Sequence, residues 1–214
     1  KKQFEHYLDP EMVKKLQKDP SLLKLGGETR EMTFLFCDIR GFTPISEQYK
    51  GNPAGLTKLI NRFLTRMTDV IISNGGTIDK FMGDCIMAFW NAPLENKNHR
   101  ESAVKSALEM KVALADLNMH LQAEGLPKIN IGIGLNTGSA LVGNMGSEQR
   151  FDYSVIGDAV NLASRLESAS KTLGKTLVIG QDTRHTIEKI YPFDYLDAIT
   201  VKGKTEKIKV YTIE

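Results

Sequence analysis

Two aspartates stand out by their settings. Asp38 lies in Phe34-Leu-Phe-Cys-Asp38-Ile-Arg-Gly41-Phe-Thr43, and Asp84 lies in Lys80-Phe-Met-Gly83-Asp84-Cys-Ile-Met-Ala88. Each is placed at the end of a strongly apolar, strand-like run, with a glycine nearby. Two carboxylates on rigid strand ends suit a hard divalent cation, because Mg²⁺ takes one or two carboxylates and completes its shell with water and substrate phosphate. The pair therefore points to phosphoryl or nucleotidyl chemistry. Taken singly, Asp38 could equally cap the helix that follows, and Asp84 could be a turn residue. The neighbours of Asp38 favour a ligand: Gly41 lets backbone approach closely, and the N–H groups entering the following helix can hold phosphate.

A second cluster is Asp158-Ala-Val-Asn161-Leu-Ala-Ser-Arg165-Leu-Glu167. Asn161 and Arg165 are four residues apart and share one helix face. An amide beside a guanidinium can bind a ribose oxygen and a phosphate oxygen, and the guanidinium can neutralise charge that develops in phosphoryl transfer. The same pair could also be an exposed polar face. The stretch Gly132-Ile-Gly134-Leu-Asn-Thr-Gly138 lacks the Gly-x-Gly-x-x-Gly spacing of a dinucleotide loop and no helix pattern follows it. Its glycines mark a sheet bend or close backbone packing.

These residues need elements to hold them. Glu31–Asp38 reads as a strand buried on both faces. Leu56, Leu59, Ile60, Phe63, Met67, Val70 and Ile71 recur at helical spacing up to Asn74-Gly-Gly. The runs 77–82 and 85–90 flank Gly83-Asp84, a two-residue loop with glycine first, which is the mark of a type II′ hairpin with Asp84 exposed at its tip. A second helical stripe runs from Ala103 to Leu121. Strands are expected at 129–142, 151–156, 176–179, 193–201 and 207–213, and helices at 158–173 and 182–189. Residues 1–30, broken by Pro10, Pro20 and Gly26-Gly27, read as a linker or transducing segment with a short helix near 9–17. The remainder, 31–214, is one domain of the α+β class with a mixed or antiparallel sheet.

Composition narrows the function. Among 214 residues, 28 basic and 26 acidic side chains leave a net charge of +2, with no Lys/Arg-rich block to suggest a nucleic-acid partner. Cys37 and Cys85 form no Cys-x-x-Cys pair and read as buried free thiols of a reducing compartment. No run approaches the roughly 18 apolar residues of a membrane span. The chain begins at Lys1, as a fragment of a longer protein would, so a sensor or membrane anchor upstream is expected.

Together the segments resemble the class III nucleotide cyclases over roughly residues 28–214. The motifs are Phe-x-Asp-Ile-x-Gly-Phe-Thr at 36–43, Lys-Phe-Met-Gly-Asp at 80–84 and Gly-Asp-x-Val-Asn-x-x-Ser-Arg at 157–165. The resemblance implies a cytoplasmic, ferredoxin-like catalytic domain that works as a homodimer, with active sites between two protomers. One protomer would give Asp38 and Asp84, assisted by the Ile39 carbonyl, to two Mg²⁺ or Mn²⁺ ions, and its Gly41, Phe42 and Thr43 to the terminal phosphates. The other would give Lys80 and Ser154 to the base, Asn161 to the ribose, and Arg165 and Lys202 to the phosphates. The implied reaction is the conversion of ATP to cyclic AMP and pyrophosphate.

Base choice has a chemical argument. Lys80 only donates, which suits the acceptor N1 of adenine and not the donor N1 of guanine. Guanylate cyclases resemble this pattern but carry Glu at that position. Ser154 stands where adenylate cyclases most often carry Asp. A hydroxyl donates and accepts, so it should discriminate less sharply, and members with Thr there extend to this chain an expectation of bicarbonate sensitivity. Many members also carry Arg where this chain has Gly132, which leaves phosphate neutralisation to Lys202, Arg165 and Arg150. The alternatives are a guanylate or mixed-specificity cyclase and a catalytically silent nucleotide-binding domain. The latter usually lacks one of the residues corresponding to Asp38, Asp84, Asn161 and Arg165, all present here.

Overall fold

The computed structural model describes residues 14, 17–19, 27–147, 150–201 and 205–214. Its organising element is strand β1 (Glu28–Arg40). Leu35, Cys37 and Ile39 point to one face of the sheet, and Met32, Phe34 and Phe36 to the other, so both faces carry buried apolar clusters. This is the doubly buried strand that the unbroken apolar run predicts. The strand is longer than expected at both ends. Asp38 lies two residues inside it, because pairing continues to Arg40 opposite Asn130.

After a short helix α1 (Phe42–Gln48) comes α2 (Pro53–Ser73). Asn52 caps α2 by accepting the Gly55 N–H at 3.0 Å, and Pro53 takes the first position, where no N–H is needed. Leu59, Phe63, Met67 and Ile71 form its buried stripe. Strands β2 (Thr77–Met82) and β3 (Cys85–Trp90) form the predicted hairpin, with Gly83 at φ 66 in its turn. Helix α3 (His99–Ala123) packs beside α2 on the same face of the sheet as Leu35, Cys37 and Ile39.

The long strand β4 (Asn130–Ser147) pairs with the whole of β1 through residues 130–142, and its far end carries β5 (Arg150–Ile156) as a returning arm. Helix α4 (Asp158–Thr172) covers the second face of the sheet. Strand β6 (Leu177–Gly180) runs parallel to β4, the short α5 (Gln181–Arg184) follows, and β7 (Asp194–Thr200) and β8 (Lys207–Thr212) close the sheet. The order is β2-β3-β1-β4-β6-β8-β7, with β5 paired to β4. Every pairing except β4–β6 is antiparallel, which is the mixed, mainly antiparallel α+β architecture expected.

The glycines of β4 explain how α4 lies so close. A Cβ on Gly134 would sit 2.3 Å from the Glu167 nitrogen and 2.5 Å from the Ala163 carbonyl oxygen, and one on Gly138 would sit 2.7 Å from the Ala159 Cβ. These positions are close-packing contacts between strand and helix. One expected helix is shorter than its pattern: 182–189 is helical only through Arg184. His185 is extended and Thr186 takes φ 71, which turns the chain and lets Ile187 enter the core. The short helix expected near 9–17 lies mostly outside the described residues.

Candidate active site

The hairpin brings the two aspartates together. Cys37 pairs with Ile86, so the β2–β3 turn lies beside the end of β1. Asp84 folds back from that turn and its Oδ2 accepts the Ile39 N–H at 3.1 Å. It is therefore half-buried, where the sequence suggested an exposed tip. Asp38 is not a helix cap: Gly41, at φ 66, is the N-cap residue of α1, and no side chain caps that helix. Burial first, and then a hydrogen bond and charge repulsion from Asp84, push the Asp38 carboxyl up to about 7. Glu167 on α4 joins them. Burial raises its pKa, Asp84 adds to the rise, and Arg40 and a hydrogen bond with Asp38 oppose it.

Carboxylates pressed together out of water are a fit for divalent cations, whose charge would relieve the repulsion. Among the described residues no group of three or more His, Cys, Asp and Glu is arranged to hold a metal by itself. The two cysteines nearby are free thiols. Cys37 is buried and Cys85 is half-buried rather than buried, and burial raises both pKa values, that of Cys85 to about 12.

Gly132 lies opposite Asp38 in the β1–β4 ladder. A Cβ there would meet Ser170 Oγ at 2.4 Å, Glu167 Oε2 at 3.3 Å and Arg40 Nε at 3.4 Å. The guanidinium of Arg40 thus lies directly beside Gly132. Arg40 Nη2 donates to Ser170 Oγ at 2.8 Å and to the Lys175 carbonyl, while its buried Nε finds no hydrogen-bond partner among the described residues.

Asn161 and Arg165 share an outward face of α4, as their spacing predicts, and both are exposed. They open into a groove of about 630 Å³ lined also by Asn136, Asp158, Val201 and Ile208. Asp38 and Asp84 are not among the described residues lining it. Phe42 packs against the main core, while Gly41 and Thr43 are exposed beside the end of β1. Lys202 and the side chain of Arg150 lie outside the described residues.

Lys80 and Ser154 come from different strands and meet around a third residue. Ser154 Oγ donates to Asp79 Oδ2 at 2.8 Å, and Lys80 Nζ lies 3.9 Å from Asp79 Oδ1. Asp79, Arg40 and Glu167 are the residues that sequence reasoning missed. Ala163, Glu167 and Ser170 recur at helical spacing on the sheet-facing side of α4, a signal that was available for Glu167. No spacing rule announces Asp79, because strict alternation sends it to the face opposite Lys80.

Residues 27–214 match the family model described as the adenylate and guanylate cyclase catalytic domain. An adenylate cyclase of Anabaena cylindrica is 36% identical over 193 residues, which are 87% of this chain and 37% of that protein. The chain thus spans about a third of the length of this relative and of an adenylate cyclase of Rhizobium meliloti that is 30% identical over 210 residues. The crystal structure of the adenylyl cyclase CyaB from P. aeruginosa superposes with a TM-score of 0.82 at 36% identity, covering 89% of this chain and 96% of that one. That of the guanylyl cyclase Cya2 superposes with a TM-score of 0.80 at 35% identity, covering 88% and 94%.

Proposed function

The chain belongs to the adenylate and guanylate cyclase catalytic domain family, and on that footing we propose that it converts ATP to 3′,5′-cyclic AMP and pyrophosphate. The observation that carries the reading is the meeting of Asp38 and Asp84 at the β1 end and hairpin turn. Together with the Ile39 carbonyl they would hold two Mg²⁺ or Mn²⁺ ions. When bound, such ions would supply acidification of the ribose 3′-hydroxyl and positive charge for the departing pyrophosphate. The ribose 3′-hydroxyl gives its proton to water, and its oxygen forms a bond to the α-phosphorus as the bond from that phosphorus to the pyrophosphate oxygen breaks and pyrophosphate leaves.

The remaining residues position and neutralise. Asn161 orients the ribose, so that the 3′-oxygen meets the phosphorus in line. Arg165 supplies positive charge to the phosphoryl oxygens as negative charge builds. Gly41, Phe42 and Thr43 offer backbone N–H groups to the terminal phosphates, and Lys202 adds a cation there. Lys80 donates to adenine N1, and Ser154 reads the exocyclic group.

In this reading the domain works as a homodimer. Asp38 and Asp84 of one protomer face Lys80, Ser154, Asn161, Arg165 and Lys202 of the other. The separation of the two aspartates from the groove that holds Asn161 and Arg165 supports a shared site. Mixing Asp38→Ala with Asn161→Ala tests it. Each variant alone is inactive, and after subunit exchange the mixture regains cyclase activity through its one intact interface. No recovery, with exchange proven by differently tagged chains, overturns the shared site.

GTP is the competing substrate, since a guanylyl cyclase superposes almost as well as an adenylyl one. Side-by-side rates with ATP and GTP under the same Mn²⁺ concentration decide between them, and the presence of Lys80 rather than an acid favours ATP. ATP as substrate is consistent with a catalytic domain facing the cytoplasm. Among the described residues, no helix is long and apolar enough to cross a membrane.

A further inference from the structure

Strand β2 contains an irregularity at the position of Asp79. Ile78 pairs with Ala88 and Lys80 with Met87, so Asp79 is an extra residue without a partner on β3. Such a bulge re-aims a side chain. Ile78 keeps its place in the main core, and Lys80 shares the opposite face with Met87. The bulge lets Asp79 join Lys80 on that side, where it reaches β5 and accepts the Ser154 hydroxyl at 2.8 Å.

The result is an unusual carboxylate. The Asp79 side chain is 1% exposed, and its Oδ1 is buried without a hydrogen-bond partner, 3.9 Å from Lys80 Nζ. A buried carboxylate is costly to keep unless donors surround it. Three face this one: the Ser154 hydroxyl, the Lys80 ammonium and the Val155 N–H, each opposing the rise in pKa that burial causes.

The contact with Ser154 has a chemical consequence. A serine hydroxyl has one proton and two lone pairs. Once the proton is committed to Asp79, the oxygen can offer only lone pairs to anything else. Towards a nucleobase, Ser154 then accepts and does not donate. The exocyclic group of adenine is an amino donor, whereas that of guanine is a carbonyl acceptor. Asp79 Oδ1 meanwhile holds the Lys80 ammonium nearby, a pure donor facing the acceptor N1 of adenine. Both contacts fit adenine, and both meet guanine with like against like.

We propose that Asp79 is the positioning residue for base selection, fixing Ser154 as an acceptor and Lys80 as a donor so that the site takes adenine and rejects guanine. This rests on the reading that Lys80 and Ser154 face the base. It removes the ambiguity of a bare hydroxyl at 154: the carboxylate that adenylate cyclases more often carry there acts here from one bond further back.

The test compares kcat/KM for ATP and GTP in the full chain, with thermal unfolding to confirm folding. In Asp79→Ala the freed hydroxyl can donate to guanine, and the ATP/GTP ratio falls about ten- to hundredfold. Asp79→Asn keeps an acceptor for Ser154 but turns an amide donor towards Lys80, and the ratio falls about three- to tenfold, the smaller part of the loss. In a Ser154→Ala background, which already lacks the hydroxyl, Asp79→Ala lowers the ratio by much less than in wild type. A purely structural Asp79 would lower both nucleotides equally. An unchanged ratio in either Asp79 variant that folds therefore overturns the proposal, as does an equal drop in the ratio in the presence and absence of Ser154. If the wild-type chain prefers GTP or turns over neither nucleotide, the parent reading fails instead, so the two failures are distinct.

Discussion

Gly134→Ala is the sharpest test of how α4 is held. The residue lies in β4 between Ile133 and Leu135, both fully buried. A methyl group there would stand 2.3 Å from the Glu167 nitrogen, 2.5 Å from the Ala163 carbonyl oxygen and 2.9 Å from the Glu167 Cα. Real Cβ contacts do not fall below 3.0 Å, so helix and strand must part by at least 0.7 Å (3.0 − 2.3). All three obstacles are helix backbone and none can rotate away. Overpacking of this kind costs about 1–3 kcal/mol, and rigid obstacles put it near the top of that range. For a chain of this size about 3 kcal/mol lowers Tm by about 6–12 °C.

The same displacement should reach the chemistry, because Asn161 and Arg165 ride on α4. A misplacement near 1 Å can cost about a hundredfold in rate, so a drop in turnover of about tenfold or more is expected. Thermal unfolding and steady-state cyclic AMP formation, measured on one preparation, read both effects. Gly132→Ala is the internal control. Its nearest obstacle is the Ser170 hydroxyl at 2.4 Å, a side-chain tip that can turn away. Turning it gives up the bonds from Arg40 and to the Glu167 carbonyl, a smaller cost of about 1–2 kcal/mol. If Gly134→Ala unfolds within 2 °C of wild type (about 1 kcal/mol or less) and turns over at more than half its rate, the close-packing account of these glycines is wrong.

Other perturbations separate the roles of charged groups. Arg165→Ala should lower turnover by about 10²-fold or more with little change in ATP binding, since its charge is needed as the transition state forms; near-wild-type turnover removes it from the mechanism. Asp38→Asn should abolish activity yet stabilise the metal-free fold at pH 8. With its carboxyl raised to about 7, the native state keeps a proton that the unfolded chain has released from about pH 4 upward, so stability falls as pH rises through that window. The amide removes that loss, and Tm of the metal-free variant should exceed wild type at pH 8 and match it at pH 4; a lower Tm at pH 8 contradicts the crowding of carboxylates. By the same logic Mg²⁺ should raise wild-type Tm more at pH 8 than at pH 6, because it competes with that proton.

Much of the architecture was legible because local signals and burial agreed. The apolar run of β1, the Gly83-Asp84 turn and the stripe on α2 each have one physical reading, and each formed at its expected place, β1 extending further at both ends. The failures came where tertiary contacts overrode a local pattern. The helical pattern after Asp182 stops at Arg184, where the turn through Thr186 brings Ile187 into the core. Asp84 seemed exposed because a hairpin tip normally is, but the Ile39 N–H draws it inward. The candidate site was legible as a set of residue types, since Asp38, Asp84, Asn161 and Arg165 sit in motifs of fixed spacing. Two of its supporting residues were not, because Asp79 and Arg40 act through contacts 75 and 130 residues away, with Ser154 and Ser170; Glu167 had a helical spacing to place it on the sheet-facing side, but nothing local announced its contact with Asp38.

The hairpin ties these observations into one argument. Within a few residues it carries Asp79 and Lys80 at a bulge and Asp84 at the turn. In a site shared between protomers, the bulge end would read the base in one active site while the turn end holds metal in the other. Changes at the two ends should then separate. Asp79 variants alter which nucleotide is chosen, while Asp84 variants alter metal dependence without changing the ATP/GTP ratio of whatever activity remains. A hairpin that served a single site would couple the two, since moving its bulge by a fraction of an ångström would shift base and metal together. Specificity and metal dependence measured on the same two variants therefore bear on the dimer as much as on either residue.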